Sequence, residues 1–273
     1  MLREEKLKNL GKILSEIKSV LVAYSGGVDS TFLLKIAQEV LGDKTIAVTA
    51  RSEIHPLSEL TIAQEITRSL GIKHIMVDSK ELSKKEFIKN PPERCYICKK
   101  ELFSQIKEIA KEHNLNFVVD GSNYDDLGDY RPGMKAIKEL KIRSPLQEVL
   151  LTKDDIRLLS KEMGLPTWNK PSNSCLATRI PYGDKITLEK LGRIGQAEEF
   201  IHNLGIEQLR VRCHHNLARI EVRPKDLLLL REEDLRKKII AKLKKLGFIY
   251  ITLDLQGYRS GSMEESLREK SED

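Results

Sequence analysis

Short apolar runs alternate with segments of helical periodicity in the first two thirds of the chain. An N-terminal segment carries apolar residues on one helical face, and a segment from residue 30 repeats them at i, i+3, i+4 and i+7. The first face comprises Leu7, Leu10, Ile13, Leu14 and Ile17, and the second Leu33, Ile36, Ala37 and Val40. Strands are predicted near residues 21–24, 44–50, 74–77 and 117–120, with further helices at 61–70 and 99–112. This alternation predicts an α/β fold built on a doubly wound parallel sheet.

The pattern changes near residue 184. A long helix is predicted at 187–204, two alternating strands at 208–213 and 217–223, a charged helix at 232–246 and a last strand at 248–255. We therefore expect two domains, residues 1–183 and a smaller α+β domain at 184–273. The polar tail from Gly257 is expected to be frayed.

The loop Ser25-Gly-Gly-Val-Asp-Ser30 joins the first predicted strand to a helix. Two glycines allow a tight turn and a close approach to a ligand, and the free N–H groups at a helix start favour an anion. Asp29 is expected to bind Mg²⁺, because hard cations prefer oxygen ligands and bridge phosphates. The loop lacks the lysine of the common GxxxxGK[ST] phosphate loop.

Ligands of doubly wound sheets bind beyond the carboxyl ends of the strands, where three loops of this chain should meet. These are the serine–glycine loop, the 50–52 turn and the loop that begins at Asp120. The expected nucleotide-binding residues are Ala23, Ser25, Gly26, Gly27, Val28, Asp29, Ser30, Ala50, Arg51, Ser52 and Gly121. The third loop continues into a carboxylate cluster with one arginine, which suits either a cation and substrate or a solvated turn with Asp caps. Its members are Asp125, Asp126, Asp129 and Arg131.

Four cysteines are present, and two of them form a CxxC pair, Cys95 and Cys98. Zinc, a redox pair and a three-cysteine iron–sulfur cluster all remain open from spacing alone. Cys175 lies in a proline-rich loop between Lys170 and Arg179, where positive charge favours a reactive thiolate. Cys213 ends an alternating strand and is expected to be a small buried apolar residue.

Composition narrows the functional classes. The chain has 273 residues and a net charge of +6, and the excess charge is spread along the sequence. Nucleic-acid binding is therefore disfavoured. No apolar run reaches the length of a membrane span, and the N-terminus is too charged for a signal peptide. We expect a cytoplasmic protein.

The serine–glycine loop resembles the SGGxDS loop of the PP-loop N-type ATP pyrophosphatases, which have the adenine nucleotide alpha hydrolase-like fold. Together with the segments TARSEIHPLSE, DGSNYDDLGDYRPG, WNKPSNSCLATRIPYG and RVRCHHNLARIEV, it resembles the ATP-dependent sulfur transferases of nickel-pincer cofactor assembly for lactate racemase (the LarE family). The resemblance covers roughly residues 5–255. It implies that ATP adenylates both carboxylates of a pyridinium-3,5-dicarboxylate mononucleotide, and that sulfur then displaces AMP to leave thiocarboxylates.

The resemblance also implies residue roles. Cys175 matches the sulfur-donating cysteine, and the added pair Cys95 and Cys98 resembles a branch in which three cysteines hold a 4Fe–4S cluster. An external sulfide or other sulfur donor would then be needed, and a nickel-inserting assembly protein would act downstream. The implied substrate-binding residues are Asp126, Asp129, Arg131, Arg179, Arg210, Arg212 and Glu221. Members form hexamers, so a homo-oligomer is expected.

Three other functions compete with this interpretation. A tRNA thiolase would share the loop and a three-cysteine cluster, but the chain has no added RNA-binding domain and only 5% aromatic residues. An ammonia-dependent amide synthetase of the NAD-synthetase type would not need the cysteines. A metal or cluster carrier would release no pyrophosphate.

Overall fold

The computed structural model describes residues 2–128, 132–171, 173–259 and 261–268. Described in chain order, the elements are α1 (Arg3–Ile17), β1 (Val20–Ala23), α2 (Val28–Leu41), β2 (Thr45–Arg51), α3 (Leu57–Ser69), β3 (Lys73–Asp78), α4 (Lys85–Ile88), α5 (Arg94–Glu112), β4 (Phe117–Val119), α6 (Gly133–Glu139), α7 (Pro145–Glu148), α8 (Lys153–Glu162), α9 (Leu188–Asn203), β5 (Leu209–His214), β6 (Leu217–Val222), α10 (Glu233–Lys245), β7 (Tyr250–Leu253) and α11 (Glu265–Arg268).

The chain divides into two compact units. The first unit comprises Met1–Lys84 and Glu93–Asn173, and the second comprises Lys85–Pro92 and Ser174–Asp273. The main division thus falls ten residues before the position expected from sequence, and a short excursion around α4 belongs to the second unit. Among the residues described, no helix combines the length and apolarity needed to cross a bilayer.

The first unit is built on a four-stranded parallel sheet in the order β3-β2-β1-β4. The sheet has a hydrophobic core on each face, and alternate residues of β1 pack into one or the other. Val20 and Val22 pack with α1, α2 and α8, whereas Leu21 packs with α5. Helices therefore cover both faces, which explains why the strands read as continuous apolar runs. The predicted doubly wound α/β fold is confirmed.

The sequence placed the first residues of two helices too far along the chain. Helix α2 begins at Val28, because Gly27 is its N-cap, and Val40 is half-exposed rather than part of the buried face. Helix α5 begins at Arg94, so Cys95 lies in its first turn and Cys98 one turn later.

The second unit contains a three-stranded sheet, β5-β6-β7, in which β5 and β6 are antiparallel and β7 runs parallel to β6. Leu209, Val211 and Cys213 are buried on one face of β5, which packs against α9. The tail after β7 is not frayed throughout as expected. Ser262 is buried, and the Tyr258 ring lies 5.1 Å from the Arg210 guanidinium.

Candidate functional site

The SGGVDS loop connects β1 to α2 at the carboxyl edge of the parallel sheet. Gly26 has a φ of +71°, and a Cβ there would lie 3.2 Å from the Ala63 Cβ atom. Both facts require glycine. The loop is therefore held against α3, with its backbone turned towards the start of α2.

Two hydroxyl groups close this loop. The Ser25 and Ser30 Oγ atoms are 3.0 Å apart, and the Ser25 amide donates to Ser30 Oγ over 3.3 Å. Below them, burial raises the pKa of Tyr24 to about 12, and its hydroxyl lies 3.3 Å from Thr31 Oγ1. With the amides of the first turn of α2, this arrangement is a polar, electropositive cradle of the kind that binds phosphate.

The two carboxylate oxygens of Asp29 have different surroundings. Its Oδ2 atom accepts from Lys153 Nζ over 2.6 Å, whereas its Oδ1 atom is buried without a hydrogen-bond partner among the residues described. A buried, unsatisfied carboxylate oxygen beside a phosphate cradle fits a Mg²⁺ ligand. Sequence reasoning missed Lys153. The available signal was a lysine in the first turn of a helix, where it opposes the helix dipole.

The loop that begins at Asp120 lies directly against the SGGVDS loop. A Cβ on Gly121 would be 3.0 Å from Ser30 N and 3.3 Å from the Asp29 carbonyl carbon. Asp120 is held in place because its carboxylate accepts from Ser122 and Ser144, each over 2.6 Å. The structure therefore brings Gly121 to the predicted loop.

The turn after β2 is tied down by other carboxylates. Arg51 forms a bidentate pair with Asp78 at 2.6 and 3.0 Å, and the Ser52 hydroxyl donates to fully buried Glu81. Burial lowers the pKa of neighbouring His55. Ala50 and Arg51 are the last two residues of β2, so the three predicted residues of this turn lie at the carboxyl edge of the sheet.

Two carboxylates of the acidic cluster, Asp125 and Asp126, accept hydrogen bonds from backbone amides. Asp126 accepts from the Asn123 amide in a capping box, and Asp125 accepts from the Lys153 amide over 2.8 Å. Asp125 thus positions the residue that contacts Asp29. Asp129 and Arg131 lie outside the described residues.

Cys95 and Cys98 are half-buried and one helical turn apart at the start of α5. This spacing presents both thiols on one face of the helix. Within neither unit do the described residues gather three His, Cys, Asp or Glu side chains into a metal-binding group. Cys213 is buried, and desolvation raises its thiol pKa, in agreement with the expected apolar role.

In the second unit, Cys175 is half-buried and is the N-cap of a 3-10 turn that ends at Arg179. Arg179 is almost fully buried and forms a bidentate pair with Glu198 at 2.9 and 3.0 Å. In the first unit, Lys170 pairs with Glu59 and donates to the Gly26 carbonyl. Both cations that flank Cys175 in sequence therefore have protein partners.

Arg210 and Arg212 share one face of β5 in a buried charged network. Arg212 donates to both oxygens of fully buried Glu221 at 3.0 and 2.7 Å and to Ser262 Oγ at 3.0 Å. Burial, with the nearby positive charge of Arg179, lowers the pKa of Arg210 to about 10. The second unit thus brings together four residues predicted from sequence, Arg179, Arg210, Arg212 and Glu221, near the turn that carries Cys175. Sequence reasoning missed Glu198 and Ser262.

Several known proteins are similar to this chain over nearly all of its length. The sequence model of the NAD synthase family matches residues 5–111. The chain is 43% identical to an uncharacterized protein of Synechocystis, over 97% of this chain and 98% of the relative. It is 35% identical to an uncharacterized protein of Methanocaldococcus jannaschii, over 93% and 96%. It is 38% identical to the pyridinium-3,5-bisthiocarboxylic acid mononucleotide synthase of Lactiplantibacillus plantarum, over 96% of this chain and 95% of that relative. The chain therefore belongs to the family of that synthase, within the PP-loop proteins.

Proposed function

We propose that this protein is an ATP-dependent sulfur transferase that converts the carboxylates of pyridinium-3,5-dicarboxylate mononucleotide into thiocarboxylates. The main support for this function is the similarity to the synthase of Lactiplantibacillus plantarum, which covers 96% of this chain and 95% of that relative. The phosphate cradle at Ser25–Ser30 and the buried arginines beside Cys175 give this similarity a physical basis. A nickel-inserting assembly protein would receive the product, and a cytoplasmic homo-oligomer is the proposed form.

Adenylation is assigned to the first unit. A substrate carboxylate oxygen attacks the α-phosphorus of ATP, and the bond to the bridging oxygen breaks, so pyrophosphate leaves and an acyl adenylate forms. The helix-start amides and Lys153 would stabilise the charge that develops on pyrophosphate. Asp29 would hold Mg²⁺, which supplies Lewis-acid polarisation of the phosphates.

Sulfur transfer is assigned to the cysteines. A sulfide nucleophile attacks the carboxyl carbon of the adenylate, AMP leaves with one original carboxylate oxygen, and a thiocarboxylate remains. Cys95, Cys98 and Cys175 would hold a 4Fe–4S cluster, which supplies an iron without a protein thiolate as the carrier of an extra sulfide. The helical spacing of Cys95 and Cys98 is compatible with two of the three thiolates.

Substrate binding is assigned to the arginines of β5. Arg210 and Arg212 present buried guanidinium groups, and guanidinium forks suit a nucleotide phosphate. Glu221 holds Arg212 in a fixed orientation. Such preorganisation reduces the entropy lost when the phosphate binds.

Pyrophosphate release tests the adenylation step. Wild type should release pyrophosphate only when ATP, Mg²⁺ and the pyridinium dicarboxylate mononucleotide are all present. Asp29→Asn should lower this rate by about 10²-fold or more, since it weakens the cation site. Asp43→Asn is the matched control, because Asp43 is exposed in the turn after α2. Equal release without the mononucleotide would contradict the proposed substrate.

Metal analysis tests the cluster. After anaerobic purification, about four irons per chain with matching acid-labile sulfide are expected. Cys95→Ala and Cys175→Ala should both lose them, whereas Cys213→Ala should retain them, because Cys213 belongs to the buried core. Zinc, or no metal in a folded active protein, would overturn the cluster. Cys175 would then be a sacrificial donor, detectable as loss of the elements of hydrogen sulfide after turnover.

An ammonia-dependent amide synthetase is the second candidate, since the NAD synthase family model matches residues 5–111. That activity needs no thiol. Full amide formation by a variant lacking Cys95, Cys98 and Cys175 would favour it. Loss of product in the same variant, with pyrophosphate release retained, would favour sulfur transfer.

A further inference from the structure

Arg179 is embedded in the turn that carries Cys175. Only 1% of its surface is exposed, which is unusual for an arginine. Each of its three guanidinium nitrogens has a protein acceptor within 3.0 Å: Nε and Nη2 donate to Glu198, and Nη1 donates to the Ser174 and Cys175 carbonyl oxygens. Nη1 also donates to the Ser174 and Thr178 hydroxyl oxygens, at 2.7 and 2.9 Å, so Arg179 has less capacity left for a substrate than Arg212, whose Nη1 donates to the Thr178 carbonyl oxygen over 3.2 Å.

The backbone of Cys175 is fixed by these bonds. Its carbonyl oxygen accepts from the Thr178 amide at 3.0 Å, the Thr178 hydroxyl at 2.8 Å and Arg179 Nη1 at 3.0 Å. Three donors on one carbonyl hold the residue in its extended conformation, with φ −61° and ψ 152°. The direction in which the Cys175 side chain leaves the backbone is thereby set.

Glu198 connects this turn to the rest of the second unit. It lies on α9, and its Oε1 atom accepts both from Arg179 Nε and from the Val211 amide at 2.9 Å. Val211 lies between Arg210 and Arg212 on β5. One carboxylate therefore sets the position of the Cys175 turn relative to the strand that bears the two arginines.

We propose that the Arg179–Glu198 pair is a clamp that positions Cys175 for sulfur transfer, and that Arg179 is a positioning residue rather than a substrate ligand. This inference rests on the proposed function for the reaction at Cys175. It revises the role that the family resemblance gave to Arg179, and it assigns a role to Glu198.

Arg179→Lys and Glu198→Gln test the clamp, with Glu199→Gln as control, because Glu199 is exposed on the same helix. Both clamp variants should lower kcat for thiocarboxylate formation by about 10²-fold, the usual effect of misplacing a reacting group by about 1 Å. The KM for the mononucleotide and the rate of pyrophosphate release should stay close to wild type. The control should behave as wild type throughout.

A second readout follows the thiol itself. Alkylation of Cys175 by iodoacetamide, measured on the peptide by mass spectrometry, should become severalfold faster in both clamp variants, because the turn is loosened. A large rise in KM with unchanged kcat, or an unchanged alkylation rate, would overturn the proposal. If either single variant fails to fold, the double variant Arg179→Met with Glu198→Gln removes both charges of this pair and must give the same two changes.

The two readouts separate the two claims. A wild-type protein that forms no thiocarboxylate would refute the proposed function, and the alkylation rates would still decide whether the clamp holds Cys175. A wild-type protein that forms thiocarboxylate, with clamp variants of normal kcat, would refute the clamp alone.

Discussion

The close approach of Gly121 to the phosphate loop gives a sharp prediction. In Gly121→Ala, the new Cβ would lie 3.0 Å from Ser30 N, 3.1 Å from Ser30 Cα and 3.3 Å from the Asp29 carbonyl carbon. Relaxed contacts between carbon atoms are about 3.5–4.0 Å, so the two loops must separate by about 0.5 Å. All three obstructing atoms are backbone, so a side-chain rotation cannot relieve the clash.

The cost should appear in both stability and ATP binding. Overpacking of this kind lowers the free energy of unfolding by about 1–3 kcal/mol. Displacement of Asp29 and Ser30 should also weaken ATP by about tenfold or more, equivalent to about 1.4 kcal/mol. Calorimetric titration with a non-hydrolysable ATP analogue and Mg²⁺ measures the affinity, and urea unfolding measures the stability.

Gly11→Ala is the matched control within the first unit. Its Cβ would meet only Val40 Cγ2, at 4.0 Å, and Gly11 lies inside α1. Replacing glycine by alanine in a helix should raise the free energy of unfolding by about 0.5–1 kcal/mol and leave ATP affinity unchanged. A folded Gly121→Ala protein with wild-type ATP affinity would refute the placement of this loop.

Three further predictions concern protonation, the second unit and Lys153. Burial lowers the pKa of His55 and His74 below the usual 6.5, so the unfolded chain binds more protons in acid. Their stabilising effect is therefore complete above pH 6.5 and is lost as the pH falls from there towards the lower folded-state pKa. Urea unfolding from about pH 7.5 to about 5.5 should show this loss, and a flat profile would contradict it. Ser262→Ala removes two hydrogen bonds from a buried network and should lower the free energy of unfolding by about 1–3 kcal/mol in urea titrations; no change would mean that the tail leaves this network in solution. Lys153→Met should lower the rate of pyrophosphate release by about 10²-fold, since it removes an ammonium group beside Asp29, and a wild-type rate would exclude a role in adenylation.

The sequence predicted the parallel sheet because its two central strands, β1 and β2, are mostly buried and therefore read as apolar runs. It placed the starts of α2 and α5 too late because apolar periodicity does not register the N-cap. For α2 the cap is Gly27, and for α5 the first turn holds the polar and cysteine residues from Arg94. The capping role of Asp126 could have been predicted from sequence, because Asn123 lies three residues earlier, at the spacing of a capping box.

The geometry of the candidate site could be predicted from sequence where a continuous segment forms it, and Gly121 could be placed because the carboxyl ends of parallel strands share one edge. The SGGVDS loop is one continuous segment, and its geometry follows from strand, glycines and helix start. Lys153 meets Asp29 across 124 residues, and Ser262 meets Glu221 across 41. No local pattern encodes such pairings, because they depend on how the elements pack. Glu198 resembled any polar residue of a helix until its arginine partner was located.

The product of a single turnover tests the account most directly. The protein, pyridinium-3,5-dicarboxylate mononucleotide, ATP, Mg²⁺ and sulfide would be mixed anaerobically, and the mononucleotide analysed by mass spectrometry. If the protein is a sulfur transferase, a carboxylate oxygen is replaced by sulfur, and one AMP and one pyrophosphate are released for each sulfur inserted. Pyrophosphate release with an unchanged mononucleotide, or with an amide in place of the thiocarboxylate, would contradict sulfur transfer.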